Sequence, residues 1–321
     1  ATALVLGALA APALAQCPDT FDGTVGLPGL GNGYAGPILS WDNGGGAELY
    51  VGGSFSQIGG ITTRILARYE ESTGAWNQLG TGISVGNTNG FLAAMTPYDS
   101  GDGNGEKLIV AGRFTSAGGV PGTEAIAAWN GTSWSALGLT VPPGNAIWAL
   151  QVGNLGQGQR LYAGGGFGVP FGGLAQYDGE QWLPIGTGVG INGPFSPYVA
   201  DLTIFDDGTG PALYAVGRFD TIDGANTILA AKFDGTSWSR IGNGLTRADS
   251  LKYLNAVTVF DDGTGPALYV AGTTFGIVGV SGQTNAAKWD GTNWTPVGGV
   301  IGTGRITDLL AWDNGDGAAL Y

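Results

Sequence analysis

The chain has 321 residues, of which 63 are glycine, and it carries a formal net charge of −13. It contains no histidine and one cysteine, which excludes a Ser-His-Asp triad, a histidine-ligated metal and a disulfide within the chain. Because only 12 lysines and arginines stand against 25 aspartates and glutamates, neither nucleic acid nor an anionic membrane is an expected partner. The hydrophobic fraction of 43% still permits a large core.

The first residues have the pattern of an export signal. Residues 1–15 form an uncharged apolar run that ends in Ala-Leu-Ala, which is typical of a signal-peptide cleavage site. We interpret the run as a signal peptide truncated at its start, which predicts a secreted or cell-surface protein of a bacterium. The alternatives are a buried strand or helix, and lipidation of Cys17, for which the preceding Gln16 is unfavourable. The rest of the chain has no apolar stretch of the about 20 residues that a membrane span requires.

A repeated segment organises the rest of the chain. The segment from Phe205 to Tyr214 recurs without change from Phe260 to Tyr269, and weaker copies occur before and after it. A leucine in each copy recurs about every 50 residues, which is typical of repeat architectures, and one tryptophan recurs in each complete unit. The leucines are Leu49, Leu108, Leu161, Leu213, Leu268 and Leu320, and the tryptophans are Trp76, Trp134, Trp182, Trp238 and Trp294.

Each unit contains four short runs with the composition of β-strands. In the fourth unit these runs span residues 200–205, 212–216, 228–233 and 238–241, with Asp-Gly turns after the first and third. Four antiparallel strands in a unit of about 50 residues predict an all-β fold, namely a β-propeller with four-stranded blades. We count five complete units and a partial sixth. Because the tryptophans share one position in every unit, we predict that they pack between blades rather than bind carbohydrate.

The units also carry the residues of a known repeat. In the first unit the pair Gly52-Gly53 is followed by Tyr69 and then by Trp76. The looser counterparts are Gly164-Gly165 with Tyr177, Gly112 with Trp129, Gly217 with Phe233, and Gly272 with Trp289. The units therefore resemble kelch repeats, such as those in the central domain of galactose oxidase, and resemble the Gly-rich repeats of secreted bacterial proteins of the planctomycete type. The resemblance covers residues 38–321 and implies a propeller. It does not extend to the copper site of galactose oxidase, which needs histidines.

The predicted signal peptide and repeats divide the chain into three parts. Residues 1–15 are the truncated signal peptide, and residues 16–37 are a mature N-terminal segment in which Phe21 occupies the position of the repeated tryptophan. This segment is able to supply a closing strand. Residues 38–321 are the kelch-like propeller, which stops inside the second strand of its sixth unit. We therefore expect the chain to be a fragment of a ring of six or seven blades.

The longest and most variable loops point to a binding site. They follow the second and fourth strands of each unit and so share one face, where binding residues on a rigid scaffold usually lie. Arg113 and Arg218 occupy equivalent positions there. The predicted ligand-binding residues are Arg113, Arg218, Asp220, Arg247, Tyr253 and Tyr198. The alternative is that these are solvated loop charges with local ion pairs.

One acidic turn resembles a calcium loop. Asp99, Asp102 and Glu106 supply carboxylates at short spacing, and Ca²⁺ requires six to eight oxygen ligands. However, the fourth and fifth units have Thr and Pro where this turn has its later acidic residues, so the turn can form without metal. We therefore expect no cofactor, with Ca²⁺ as the alternative.

These features favour a binding protein over an enzyme. The aspartates fall mainly in the repeated tight turns, whereas a catalytic acid pair should occur in only one or two units. We expect a secreted, non-enzymatic module that binds a glycan or a protein at the cell surface through the long-loop face. The alternatives are a structural surface or matrix component, and a carbohydrate-active enzyme that uses carboxylates.

Overall fold

The computed structural model describes residues 29–86, 89–168, 170–302, 304–313 and 317–321. Within these ranges every regular element is a β-strand and no helix occurs, so the prediction of an all-β fold is confirmed. No helix that could cross a membrane is found in this part of the chain. The signal-peptide prediction, Phe21 and Cys17 lie outside the described residues.

Five antiparallel sheets follow one another along the chain, and in each the strands pair in chain order. We number them sheet 1 to sheet 5. Sheet 1 contains Tyr34–Asp42, Ala47–Ser54, Leu66–Glu70 and Ala75–Asn77. Sheet 2 contains Phe91–Tyr98, Lys107–Arg113, Ile126–Trp129 and Trp134–Ser135. Sheet 3 contains Ile147–Asn154, Gln159–Gly165, Leu174–Tyr177 and Trp182–Pro184. Sheet 4 contains Tyr198–Asp206, Pro211–Arg218, Ala230–Phe233 and Trp238–Arg240. Sheet 5 contains Leu254–Asp261, Pro266–Ile277, Thr284–Trp289 and Trp294–Pro296.

Short strands join the loops between and within the sheets. Three of them follow the fourth strand of one sheet. Two of these pair with a short strand in the loop after the second strand of the next sheet, and the third pairs with the end of the second strand of sheet 5. These pairings are Ile83–Ser84 with Ser116–Ala117, Val189–Gly190 with Thr221–Ile222, and Leu245–Thr246 with the end of Pro266–Ile277. The remaining short pairs are Gln57–Ile58 with Ile61–Thr62, Thr221–Ile222 with Ala225–Asn226, and Ala311–Asp313 with Ala318–Leu320.

Neighbouring sheets pack face to face through separate hydrophobic clusters. One cluster lies between each consecutive pair of sheets, and the first strand of each sheet contacts the first strand of the next. The core is therefore built from sheet-to-sheet contacts in chain order, as expected when each repeat buries its apolar faces only against its neighbours.

The repeated tryptophan forms the same contact in four successive sheets. Its indole Nε1 donates a hydrogen bond to a backbone carbonyl that lies three residues after the tryptophan of the preceding sheet. The bonds are Trp134 to Leu79 at 3.0 Å, Trp182 to Leu137 at 2.9 Å, Trp238 to Ile185 at 3.2 Å, and Trp294 to Ile241 at 2.9 Å. These four side chains are buried. Trp76, the first of the series, is less buried and its Nε1 has no hydrogen-bond partner among the described residues. This geometry supports the prediction that the tryptophans pack between repeats.

The turn after the first strand depends on its aspartates. Asp206 Oδ1 accepts hydrogen bonds from the N–H groups of Gly208 and Gly210, both at 2.9 Å. The neighbouring Asp207 accepts bonds from Lys232 Nζ at 2.7 Å and from the Tyr214 hydroxyl at 2.8 Å. Burial raises the pKa of Asp207, but these bonds outweigh it and lower the pKa to about 2. Sheet 5 repeats the arrangement with Asp261, Asp262, Tyr269 and Lys288.

Candidate binding site at the long-loop end of the sheets

The pairing order gives every sheet two different ends. Turns between the first and second strands and between the third and fourth strands lie at one end, which we call the short-turn end. The loops after the second and fourth strands lie at the other, which we call the long-loop end. All six predicted ligand-binding residues lie at or beside the long-loop end.

A glycine in the second strand fixes where the first strand begins. If Gly112 carried a Cβ atom, that atom would collide with the Phe91 carbonyl oxygen, and a Cβ atom at Gly217 would collide with the carbonyl oxygen of Tyr198. Only glycine permits this close approach of two backbones. The equivalent glycines are Gly53, Gly112, Gly165, Gly217 and Gly272. Because of this contact, the residue at the start of the first strand, or directly before it, is held at the same place in each sheet.

A β-bulge follows immediately in every first strand. A bulge places an extra residue on one strand and redirects its side chain. The bulged residues in sheets 2 to 5 are Ala93, Trp148, Ala200 and Asn255, and in sheet 1 Gly36 and Pro37 take this place. All of them line one cavity of about 420 Å³, which we call the first-strand cavity. Residues of all five sheets, together with Thr307 and Asp308, form its wall.

Four aromatic side chains form a continuous series beside this cavity. The rings of Phe91 and Trp148 are stacked with centroids 4.8 Å apart, Trp148 lies 6.5 Å from Tyr198, and Tyr198 lies 6.2 Å from Tyr253. We call these four residues the aromatic arc. Phe91 is buried, whereas the indole of Trp148 is 42% exposed. Of the aromatic arc, the indole of Trp148 is therefore the side chain that is exposed at the long-loop end.

Arginines border the arc. The guanidinium group of Arg113 lies 4.9 Å from the ring centroid of Phe91, and that of Arg218 lies 4.8 Å from the centroid of Tyr198. Arg218 Nη2 also donates to the carbonyl of Ser196 at 2.8 Å. Arg305 Nη1 donates to the Tyr253 hydroxyl at 2.8 Å. Stacking of this kind holds the guanidinium groups in fixed positions while leaving some of their N–H donors available.

One carboxylic acid faces the first-strand cavity from sheet 4. Asp201 Oδ1 accepts the N–H of Leu202 and its Oδ2 accepts the N–H of Val257, both at 2.8 Å. Removal from water raises the pKa of the Asp201 carboxyl to about 7, because it outweighs the lowering by these two N–H groups, and the field of Asp308 adds to the rise. Asn255 also lines the cavity and donates through Nδ2 to the carbonyl of Ile306 at 2.7 Å.

The structure places Asp220 and Arg247 in a different cavity. Arg247 Nε and Nη2 donate to the two oxygens of Asp220 at 2.8 and 2.7 Å, and the N–H of Asn192 donates to Asp220 Oδ2 at 2.6 Å. These residues line a cavity of about 400 Å³ together with Asp249 and Ser250. The six predicted ligand-binding residues therefore form two groups: Arg113, Arg218, Tyr198 and Tyr253 lie at the aromatic arc, whereas Asp220 and Arg247 pair with each other.

The three candidate calcium ligands have separate protein partners. Asp99 accepts the N–H of Gly101 at 2.8 Å, Asp102 accepts Lys107 Nζ at 2.8 Å, and Glu106 accepts Trp41 Nε1 at 2.7 Å. The hydrogen bond from Lys107 holds the pKa of Asp102 far below its usual range. In the described part of the chain, no group of three or more acidic or cysteine side chains has the arrangement of a metal site. Calcium binding at this turn thus remains a prediction without geometric support.

Sequence reasoning missed Phe91, Trp148 and Asp201. Phe91 could have been found, because an aromatic residue starts the first strand in three of the sheets, at Tyr34, Phe91 and Tyr198, and Tyr253 directly precedes that strand in sheet 5. Trp148 departs from this position because it is the bulged residue of sheet 3. Asp201 is harder to recognise from the sequence, because its repeat position is not acidic in the other sheets. The equivalent residues there are Pro37, Ala94, Ala149 and Ala256.

No protein-family model matches the chain, and no curated protein shows a significant match to it.

Proposed function

We propose that the chain is a kelch-like β-propeller, exported by a bacterium, that acts as a non-enzymatic binding module for a glycan or a cell-surface protein. In this proposal sheets 1 to 5 are five blades, and the hairpin of Ala311–Asp313 and Ala318–Leu320 begins a sixth. Two features support a radial arrangement. The first strands contact one another in chain order, and the tryptophan hydrogen bonds link each sheet to the preceding one.

The observation that carries the proposal is the aromatic arc at the long-loop end. A half-exposed indole stacked on a buried phenylalanine is an anchored apolar surface, so a ligand that covers it orders few side chains. The cavity beside the arc is of the size that small ligands occupy, about 300–1,000 Å³. Arg113 and Arg218, held over neighbouring rings, add fixed hydrogen-bond donors at the edge of this surface.

The test is binding by the intact chain to a glycan array and to proteins from bacterial cell surfaces. We expect Trp148→Ala to lower the affinity for the captured ligand at least about tenfold, because it removes the exposed part of the arc. Trp312→Ala is the matched control, since Trp312 is also highly exposed, at 56%, but lies on the final hairpin. Equal losses in both variants, or none in either, would contradict the proposal.

One observation favours a second function, hydrolysis of a glycosidic bond. Asp201 and Asp308 line the same cavity, and among the units this repeat position is acidic only in the fourth and in the partial sixth. An acid that stays protonated near neutral pH can give its proton to the glycosidic oxygen, while a second carboxylate removes a proton from the attacking water. If the chain is a hydrolase, new reducing ends will form in a glycan that it binds, and Asp201→Asn will stop their formation. Binding without release of reducing ends favours the non-enzymatic proposal.

A further inference from the structure

We propose that the first-strand cavity binds one uncharged pyranose ring of a glycan, with Trp148 as its apolar wall and with Asp201 and Asn255 as its hydrogen-bonding partners. This inference rests on the proposed function. It selects a glycan over a protein as the ligand and assigns the residues that determine specificity.

The apolar wall is set by the bulge in sheet 3. The bulged residue of each of these strands lines the cavity, and it is an alanine in sheets 2 and 4 but Trp148 in sheet 3, so that the indole becomes part of the cavity wall. Phe91 supports the indole at 4.8 Å. A pyranose ring has C–H groups that need such a surface and hydroxyl groups that need hydrogen bonds, so it requires both kinds of wall.

The polar wall lies on sheets 4 and 5. Each oxygen of Asp201 accepts one backbone N–H, which leaves a second acceptor position on each oxygen for a hydroxyl donor. Asn255 uses one N–H for the carbonyl of Ile306 and retains its other N–H and its Oδ1. These groups can therefore receive at least two hydroxyl groups of one sugar.

The charges in the cavity select against acidic sugars. Asp201 and Asp308 line it, and none of the described residues in its wall is basic. A uronic or sialic acid would place a third carboxylate in this space, which like-charge repulsion and the cost of removing a charge from water disfavour.

The same site should respond to pH through Asp201. Its ionised form accepts hydroxyl donors more strongly than its neutral form, and its pKa is raised to about 7. Asp308, from the segment at 304–310, is the charged group whose field acts on it. The residues that line the cavity from the other sheets include Tyr34, Phe91, Trp148 and Asn255, and none of those described is a carboxylic acid, a lysine or an arginine. We therefore expect the affinity for the sugar to rise as the pH increases from about 6 to about 8.

The experiment is calorimetric titration of the full chain with neutral hexose oligosaccharides and with oligogalacturonate, between pH 5.5 and 8.5. We expect a neutral oligosaccharide to bind and oligogalacturonate not to bind. We expect Asp201→Asn to reduce the affinity about tenfold or more at pH 8 and to remove the pH dependence. The matched control is Asp249→Asn, which changes an exposed acid at the same end of the sheets and should leave affinity and pH profile unchanged. Thermal unfolding of each variant shows whether it is folded, and Trp148→Phe, which keeps an aromatic ring, should retain binding more than Trp148→Ala does.

The outcomes separate this inference from the proposed function. Preference for oligogalacturonate, or unaltered affinity in Asp201→Asn while Trp148→Ala binds weakly, would overturn the sugar site but leave a binding module. If no oligosaccharide binds but a surface protein does, the sugar site is again overturned and the proposed function stands. If neither class of ligand binds, both are overturned.

Discussion

The two ends of the sheets differ in charge and in how regularly their residues repeat. The short-turn end carries most of the acidic residues: Asp42, Glu48, Glu70, Glu71, Asp99, Asp102, Glu106, Asp178, Glu180, Asp206, Asp207, Asp234, Asp261, Asp262, Asp290 and Asp313. Its basic residues are Arg68, Lys107, Arg160, Lys232 and Lys288. The long-loop end is nearly balanced, with Arg64, Arg113, Arg218, Arg240, Arg247, Lys252 and Arg305 against Glu124, Asp201, Asp220, Asp223, Asp249 and Asp308.

This contrast distinguishes residues that stabilise the fold of each repeat from residues that have a role in the function of the whole molecule. At the short-turn end the acids recur from sheet to sheet and bond to turn amides, as Asp206 and Asp261 do. At the long-loop end Trp148 has no counterpart in the other sheets. Asp201 has one only in the partial sixth unit, where Asp308 holds the same repeat position and likewise accepts the N–H of the following leucine. A feature present in every repeat is explained by folding of the repeat, whereas a feature that occurs once needs an explanation at the level of function.

The largest effect should come from a repeated tryptophan. We expect Trp238→Ala to lower the free energy of unfolding by about 3–5 kcal/mol, because it leaves a cavity between sheets 3 and 4 and removes the hydrogen bond to Ile185. We expect Trp148→Ala to lower the free energy of unfolding by only about 1 kcal/mol, which is the contribution of one aromatic pair. Denaturant unfolding of both variants measures the difference. Comparable losses would show that the two tryptophans have the same role.

Asp207 at the short-turn end and Asp201 at the long-loop end should make the free energy of unfolding depend on pH in opposite directions. The pKa of Asp207 is lowered to about 2 from 3.8, so its stabilising contribution is present above pH 4 and is lost as the pH falls towards 2. The pKa of Asp201 is raised to about 7, so its contribution is full below about pH 4 and is lost as the pH rises to 7. Unfolding free energies at a series of pH values should lose the first dependence in Asp207→Asn and the second in Asp201→Asn. An unchanged pH profile in either variant would contradict the assigned cause.

The smallest effect concerns the arginines at the long-loop end. We expect Arg113→Ala and Arg218→Ala together to weaken ligand binding about tenfold, since they remove donors beside the arc. Arg247→Ala should leave affinity unchanged but lower stability, because it leaves the buried carboxylate of Asp220 without its ion-pair partner. If Arg247→Ala weakens binding more than the double variant does, the cavity near Asp220 is the binding site instead.

Local sequence features predict the strands of the sheets well, but they do not predict the short strands that pair between sheets. In sheet 4 the expected runs 200–205 and 212–216 correspond to strands Tyr198–Asp206 and Pro211–Arg218, because alternating apolar residues and Asp-Gly turns are local signals. The short strand Val189–Gly190 was not predicted, since it pairs with the loop of the following sheet and this contact depends on tertiary packing.

The site was only partly predictable for the same reason. Arg218 and Tyr253 stand out by repeat position or residue type, and they lie at the aromatic arc. Trp148 is placed there by a bulge, and a bulge is a property of two paired strands rather than of one segment. The pairing of Asp220 with Arg247 joins two loops of different units, so their composition left open both a ligand site and the local ion pair that the structure contains.

The hydrogen bond from four of the repeated tryptophans to the preceding sheet has an evolutionary consequence. Every unit brings its own donor, the indole, and its own acceptor, the carbonyl three residues later. A unit that is duplicated within the gene therefore contains both a donor and an acceptor for this hydrogen bond. It can be inserted without compensating changes in its neighbours. The segment that Phe205–Tyr214 and Phe260–Tyr269 share without change is the pattern expected from such copying. Selection is then free to diversify the loops of each copy one at a time.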